Sequence, residues 1–264
     1  VWKLLVAGER IYAGVSEAGL FLSEDRGATW RSFPSLDAHP DREAWMPGAG
    51  GLCAHSLLLD GRDPQRLWVG ISAAGVFRSD DGGATFVARN EGVSTLQGED
   101  AAYCVHGLAH DPAHPERSYR QDHRGVYRTE DGGDNWVPVE AGLPTAELSD
   151  GHRCSFGFPI ALDAVADAVF VVPLTSDEYR FPHEGHLRVF RSRDRGASWQ
   201  GFHEGLPAPF HDSVLRGALA VDGHGGVAFG TAAGNVFVSG DLGETWQALP
   251  GAHSRVLCVA AHAP

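Results

Sequence analysis

The sequence is poor in methionine and cysteine and has no long apolar run. Its 264 residues include one methionine and four cysteines. No stretch reaches the roughly 20 apolar residues that a helix needs to cross a bilayer, so we expect no membrane segment. Four cysteines in a chain of this size do not make a disulfide scaffold. The apolar share of 43% is that of an ordinary globular protein.

Positive charge is also scarce, which excludes one class of partner. The chain carries 21 Lys and Arg against 34 Asp and Glu, a net charge of −13. A surface that binds nucleic-acid phosphates needs clustered Lys and Arg, so we expect no nucleic-acid partner. The run from Val1 to Glu9 has too short an apolar core for a secretory signal. We therefore expect a cytoplasmic protein, with secretion as the alternative if a signal is removed before Val1.

Glycine is plentiful, and eight of the 34 glycines lie in a repeated turn motif. Five segments share the pattern Ser/Thr-x-Asp-x-Gly-x-Thr/Ser/Asn-Trp/Phe, and we call them the first to fifth Asp turns. The segments are SEDRGATW at 23–30, SDDGGATF at 79–86, TEDGGDNW at 129–136, SRDRGASW at 192–199 and SGDLGETW at 239–246. They recur about every 50 residues, which is the length of one propeller blade.

Each position of the Asp turn has a mechanical role. The Ser or Thr ends a strand, and the Asp two residues later can accept backbone N–H bonds within the turn. The Gly supplies a positive φ, and the final aromatic is predicted to pack under the loop as a small core plug. The motif therefore predicts structural aspartates, not catalytic ones. They are Asp25, Asp81, Asp131, Asp194 and Asp241.

The sequence around the Asp turns predicts four short strands per repeat. Two β-rich runs precede each turn, one short run follows it, and an earlier apolar run ends in Asp in four repeats. Those runs are CAHSLLLD (53–60), CVHGLAHD (104–111), FGFPIALD (156–163) and LRGALAVD (215–222). We therefore predict an all-β fold, a five-bladed β-propeller of four-stranded blades with one Asp turn each.

Residues 1–264 are predicted to form one domain, with the ring closed by pairing of the N- and C-terminal strands. The C-terminal run Val256–His262 fits the closing strand. In the alternative, Lys3–Ala7 is the inner strand of the first blade and the C-terminal run begins a sixth blade.

The Asp turns resemble the Asp-box (BNR) repeats of sialidases, sortilin-type receptors and many bacterial propellers. The text GVYRTEDGGDNW, preceded by RQDH at 120–123, is similar to bacterial proteins labelled sialidase-like or glycosyl-hydrolase-like. Sialidases hold the substrate carboxylate with three arginines, the first in an Arg-Ile-Pro stretch. The comparable text here, Gly157-Phe-Pro-Ile160, has no arginine, and Arg216 is the only arginine that we place on an inner strand. Sialidase activity is therefore not expected.

The sharpest local pattern is a pair of Cys-x-His motifs at the start of two predicted inner strands. Cys53 and His55 open one strand, and Cys104 and His106 open the next. Residues i and i+2 of a strand point to the same side, so each pair can face the channel mouth, with His123 reaching in from a nearby turn. Thiolate and imidazole ligands suit zinc, copper or iron. Two ordinary interpretations stay open, a buried channel lining and disulfide pairing.

These patterns lead to two functional hypotheses. The first is a small-molecule-binding propeller with its site opposite the Asp-turn face, where the long loops lie; as an enzyme it would use His55, His106 and His123. The second is a non-catalytic scaffold that binds glycan or protein. An insertion at 164–190, which contains Asp177, lengthens a turn on the same face. A small-molecule or glycan ligand and a monomeric state are expected.

Overall fold

The computed structural model describes residues 1–47, 50–95, 103–251 and 253–261. These residues are almost entirely β-structure, as the repeat predicts. The helical segments among them are a single turn, α1 (Pro34–Asp37), and two 3₁₀ turns at Arg42–Ala44 and His183–Gly185. None of the described helices is long and apolar enough to cross a membrane.

Twenty-two strands are described, and each four-stranded sheet consists of four strands consecutive in the sequence. The first sheet contains β1 (Lys3–Ala7), β2 (Arg10–Gly14), β3 (Leu20–Ser23) and β4 (Arg31–Ser32). The second contains β5 (Ala54–Leu59), β6 (Leu67–Ile71), β7 (Gly75–Ser79) and β8 (Val87–Ala88). The third contains β9 (Val105–Asp111), β10 (His114–Asp122), β11 (Gly125–Thr129) and β12 (Val137–Pro138).

The remaining strands form one short ribbon and two further four-stranded sheets. The ribbon pairs β13 (Ala146–Glu147) with β14 (Arg153–Cys154). The fourth sheet contains β15 (Gly157–Asp163), β16 (Ala168–Pro173), β17 (Val189–Ser192) and β18 (Gln200–Phe202). The fifth contains β19 (Leu219–Val221), β20 (Val227–Gly230), β21 (Val236–Ser239) and β22 (Gln247–Ala248).

The second strands of the second and fourth sheets, β6 and β16, are buried on both faces because neighbouring structure covers them. All five residues of β6 (LWVGI) and all six of β16 (AVFVVP) are buried. This burial explains their continuous apolar sequence, since a strand with one solvated face would alternate apolar and polar residues.

The chain packs as two compact units. The first comprises residues 1–118 and 129–137, and the second comprises 119–128 and 138–264. The core of the first unit includes Phe33, Leu57 and Phe77. The core of the second includes Phe170 and Phe229.

The five Asp turns have one hydrogen-bond pattern. In the first, Gly27 N donates to Ser23 Oγ at 2.7 Å, and Thr29 donates to Asp25 through its backbone N at 2.8 Å and its hydroxyl at 2.6 Å. The equivalent bonds occur in the other four turns. The motif glycines have positive φ, from 82° to 96°. The backbone bonds to the aspartates are therefore those that the sequence predicts.

The predicted aromatic plug is present in four turns and absent from the first. Phe86, Trp136, Trp199 and Trp246 are buried, whereas Trp30 is 43% exposed. The prediction for Trp30 is therefore wrong, because no preceding sheet covers it among the described residues.

The two ends of the chain adopt part of the predicted arrangement. Lys3–Ala7 is the first strand of the first sheet, as in the six-bladed alternative. Near the C-terminus, Cys258 bridges Gly217 in parallel, and Val259 N donates to Gly217 O at 2.8 Å. The C-terminal run thus lies beside the residues that lead into β19. Ring closure and the single-domain assignment stay predictions.

Candidate functional site

The two Cys-x-His motifs have the same register at the starts of β5 and β9. In each case the Cys immediately precedes the strand and the His is its second residue. The alternation of side chains along a strand places the Cys and His on one side, and Cys104 Sγ lies 3.5 Å from His106 Nε2. Both Cys104 and His106 are buried. The second motif therefore forms the predicted thiol–imidazole pair.

The first motif, Cys53 and His55, has different hydrogen-bond partners. His55 Nδ1 lies 3.1 Å from Ser56 Oγ, and its Nε2 lies 2.8 Å from Val105 O. Cys53 Sγ donates to Gly50 O at 3.0 Å. Both ring nitrogens of His55 are thus within hydrogen-bond distance of protein atoms, which suits a histidine that joins two neighbouring first strands.

His123 directly follows β10 and belongs to the second unit, whereas Cys104 and His106 belong to the first. Its place in the predicted ligand set, with Cys53, His55, Cys104 and His106, stays a prediction.

Asp177, on the loop between β16 and β17, lies next to His123. Its Oδ2 is 3.5 Å from His123 Nε2. Ser149 anchors the same carboxylate, since its backbone N donates at 3.2 Å and its hydroxyl at 2.6 Å. Burial lowers the pKa of His123 and favours the neutral imidazole. For Asp177, burial acts to raise the pKa, but the hydrogen bonds from Ser149 contribute to a net lowering.

Aromatic rings and two arginines flank the His123 side of the site. The His123 ring meets Phe156 edge-on, with 5.2 Å between ring centroids, and Phe156 contacts Phe158 at 5.3 Å. The guanidinium groups of Arg180 and Arg216 lie 5.4 Å and 5.0 Å from the centre of the Phe158 ring. Arg216 lies before β19 rather than on it. His123 therefore has aromatic rings on one side, and the positive charges of Arg180 and Arg216 lie next to the Phe158 ring.

Two ion pairs, one fully buried and one partly exposed, lie at the end of β10. Arg120 Nε donates to Asp122 at 2.7 Å, and neither side chain is accessible to solvent. Arg124 donates to Asp150 at 2.8 Å, and this contact holds the pKa of Asp150 at about 2. Within residues 120–124 the sequence singles out only His123 as a candidate site residue, and these pairs were missed. The alternation Arg120-x-Asp122 was the signal for the first pair, because i and i+2 side chains share one face of a strand.

The four cysteines form no disulfide bonds with one another in the structure. Cys154 is buried and its sulfur contacts His123 O at 3.5 Å. Burial raises the pKa of this thiol to about 12, so it is not a reactive thiolate at neutral pH.

The fold is similar to that of several solved β-propeller proteins. A GH74 xyloglucanase from Xanthomonas campestris has a TM-score of 0.63 and 18% identity, covering 91% of this chain and 37% of that one. A GH74 enzyme from Niastella koreensis has a TM-score of 0.57 and 18% identity, covering 91% and 36%. PorZ, a surface component of the type-IX secretion system of Porphyromonas gingivalis, has a TM-score of 0.57 and 16% identity, covering 94% and 34%.

These likenesses extend to the fold alone, since a shared fold does not carry a function across. The chain spans about a third of the length of these three proteins. No protein-family model matches the sequence, and no curated protein matches it. The chain is built from four-stranded antiparallel sheets, which is consistent with the β-propeller fold of these proteins.

Proposed function

We propose that this chain is a small-molecule-binding β-propeller of five four-stranded blades, each carrying one Asp box. Support for the blade count comes from the five four-stranded sheets among the described residues and from the one Asp turn in each. In this proposal the Asp turns maintain the scaffold, and the ligand binds where β9 begins.

The binding centre that we propose is a transition-metal site with Cys104, His106 and His123 as the ligands that the sequence predicts. The observation that carries it is the buried pair of Cys104 and His106, whose Sγ and Nε2 atoms lie 3.5 Å apart. One sulfur and two imidazole nitrogens suit zinc, copper or iron. Asp177 supports the assignment, because a histidine that binds a metal usually has its other ring nitrogen next to a carboxylate or carbonyl. Asp177 Oδ2 is 3.5 Å from His123 Nε2.

Three protein ligands are the number found in catalytic zinc sites, whereas structural sites have four. A fourth position would then be open to water or to a small ligand. Ligand binding at that position is the small-molecule function that we propose, and activation of a bound water is the reaction type that an enzyme would use there.

The test is zinc binding by the full chain, purified without a His tag and stripped of metal. Titration calorimetry should give about one equivalent of zinc. Cobalt should add a thiolate-to-cobalt absorption band that C104S removes. H106Q and H123Q should each weaken zinc binding at least about tenfold. Two substitutions outside the site, C258S and H224Q, are the matched controls and should leave the affinity unchanged.

Two results would refute the metal centre. One is the absence of zinc, cobalt or copper binding by the full chain. The other is binding that survives C104S, H106Q and H123Q unchanged. Thermal melts of each variant are needed beside the titrations, because Cys104 and His106 are buried and their replacement can lower stability.

A second candidate is a metal-free site in which His123 acts as a general base. The His123–Asp177 pair favours it, because a carboxylate beside an imidazole orients the ring and stabilises its protonated form. The alternative without a catalysed reaction is a scaffold protein that binds a glycan or another protein. PorZ, a surface component of a secretion system, and the xyloglucanase illustrate the two kinds of role that this fold has in other proteins.

A further inference from the structure

A short ribbon in the second unit stands apart from the four-stranded sheets. β13 and β14 form a two-stranded sheet of their own, between the fourth strand of one sheet and the first strand of the next. The tip of this ribbon is a hydrogen-bonded turn, since Leu148 N donates to His152 O at 2.8 Å and Gly151 N donates to Leu148 O at 3.0 Å. The ribbon is therefore a defined element that the repeated Asp-turn pattern does not predict.

Leu148 packs the tip of the ribbon onto the core of the second unit. Its side chain is 3% exposed and belongs to a buried cluster with Cys154, Phe156 and Leu174. The ring of His123 packs edge-on against Phe156 of the same cluster, with 5.2 Å between ring centroids. The tip of the ribbon and the His123 ring thus pack on one group of buried side chains.

Two consecutive polar residues at the tip contact two different loops. Ser149 donates to Asp177, on the loop between β16 and β17, through its backbone N at 3.2 Å and its hydroxyl at 2.6 Å. Asp150 accepts from Arg124, in the turn between β10 and β11, at 2.8 Å. Asp177 Oδ2 in turn lies 3.5 Å from Nε2 of His123, the neighbour of Arg124 in that turn. The ribbon therefore links the loop of Asp177 to the turn of His123.

A carboxylate beside one ring nitrogen decides where a neutral imidazole carries its proton. A neutral imidazole has one N–H and one unprotonated nitrogen, and the hydrogen bond made by one nitrogen sets the state of the other. Asp177 Oδ2 is the acceptor that faces Nε2 of His123, so it favours the N–H at Nε2 and a lone pair at Nδ1. An unprotonated nitrogen is what a metal ion requires of a histidine, and also what a general base requires.

We propose that the β13–β14 ribbon positions His123, with Ser149 acting through Asp177 to keep the proton of the His123 ring on Nε2. This inference rests on the proposed use of His123 in the ligand site, as a metal ligand or as a base. Ser149 is a positioning residue, because its hydroxyl binds the carboxylate that faces the ring.

The test observes the two ring nitrogens of His123 by long-range ¹H–¹⁵N NMR of the full chain at about pH 8. The ring is neutral there, since burial lowers its pKa, and H123Q identifies its signals. The chemical-shift difference between Nδ1 and Nε2 is largest when one tautomer is populated and shrinks when the two tautomers exchange. We expect a large difference in the wild-type chain and a smaller one in S149A and D177N. S149T keeps the hydroxyl and should restore the wild-type difference.

The matched control is S198A, which also removes a serine hydroxyl that donates to an aspartate. Ser198 donates to Asp194 at 2.5 Å in the fourth Asp turn, which belongs to the same unit. S198A should leave the His123 nitrogens unchanged. Unchanged nitrogen shifts in both S149A and D177N would overturn the proposal. An equal change in S198A would also overturn it, because a general loss of stability would then be the cause.

Zinc titration separates this inference from the proposed metal centre. With His123 as a ligand, S149A and D177N should each weaken zinc binding about tenfold or more, the usual effect of removing a residue that supports a metal-binding histidine. A wild-type chain that binds no zinc would refute the metal centre, and the nitrogen shifts would still decide whether the ribbon positions His123. Zinc binding of wild-type strength in S149A, together with unchanged nitrogen shifts, would refute the role of the ribbon alone.

Discussion

The first Asp turn and the other four have the same sequence pattern and the same internal hydrogen bonds but different surroundings. In the first turn Asp25 accepts from Thr29 at 2.8 and 2.6 Å, and in the second Asp81 accepts from Thr85 at 2.8 and 2.7 Å. The aromatic residues differ sharply, since Trp30 is 43% exposed and Trp136 only 3%. The local sequence is sufficient to form the turn, whereas burial of the aromatic requires a preceding sheet.

This difference separates two contributions to stability. The hydrogen bonds of the Asp turn depend on eight consecutive residues, so every copy of the motif should gain the same amount from them. The aromatic contributes by removing apolar area from water, and that contribution depends on long-range packing.

The largest expected effect is that of truncating a buried turn aromatic. W136A should lower the free energy of unfolding by about 3–5 kcal/mol, the usual cost of removing a buried tryptophan. W30A should lower it by less than about 1 kcal/mol in dilute solution, because its ring already faces solvent. Urea denaturation followed by circular dichroism measures both. Equal losses for the two variants would show that Trp30 is covered in solution.

Removal of a turn aspartate should have a smaller effect that does not depend on the surroundings. D81A should cost about 1–3 kcal/mol through its lost hydrogen bonds to Thr85 and Ser79, and D194A should cost a similar amount. R193A is the control, since it changes the exposed residue between Ser192 and Asp194. Zinc affinity should be unchanged in all three variants. A loss of binding without a loss of stability would give these aspartates a functional role.

The fold could be predicted from the sequence because its signals are local and repeated. The strands around each Asp turn follow from short apolar runs and glycine turns, and the structure contains them in order. The exposure of Trp30 could not be predicted, because the motif does not specify what packs against it. Whether the described sheets make a closed five-bladed ring is likewise a question of long-range packing.

The candidate site was predictable only in part, for the same reason. The register of Cys104 and His106 follows from strand alternation and was predicted. The contact between Asp177 and His123 joins residues far apart in the sequence, and no local pattern links them. His55 was included among the ligands because it shares the motif, but its ring lies against Ser56 and Val105 O.

Acidic pH should weaken the turns, because their aspartates have lowered pKa values in the folded state. The hydrogen bond from the Thr29 hydroxyl is the main cause of the lowering for Asp25, to about 2. Asp241 also has a pKa of about 2, because bonds from Ser239 and Thr245 outweigh the opposing effect of burial. A carboxylate with a lowered folded pKa adds stability above its unfolded pKa of about 4, and this stability is lost as the pH falls toward 2. The urea midpoint should therefore fall between pH 4 and pH 2.

The variant D241N tests the origin of that pH dependence. Asparagine cannot titrate, so D241N should be less stable than the wild type at pH 6, and the difference should shrink toward pH 2. A constant difference across this range would mean that protonation of Asp241 does not contribute to acid unfolding.

The smallest expected effect comes from the third Asp turn, which has Asn135 where the first, second and fifth turns have threonine. Asn135 donates to Asp131 through its backbone N at 2.9 Å and its side-chain amide at 2.8 Å, the same two bonds that Thr29 makes to Asp25. N135T should therefore change the free energy of unfolding by less than about 0.5 kcal/mol, as is usual for exposed positions whose contacts are kept. N135A removes the side-chain bond and should cost about 0.5–1.5 kcal/mol. A loss of stability in N135T as large as that in N135A would show that the third turn depends on its surroundings. That result would contradict the inference that the five turns are equivalent because they share one hydrogen-bond pattern.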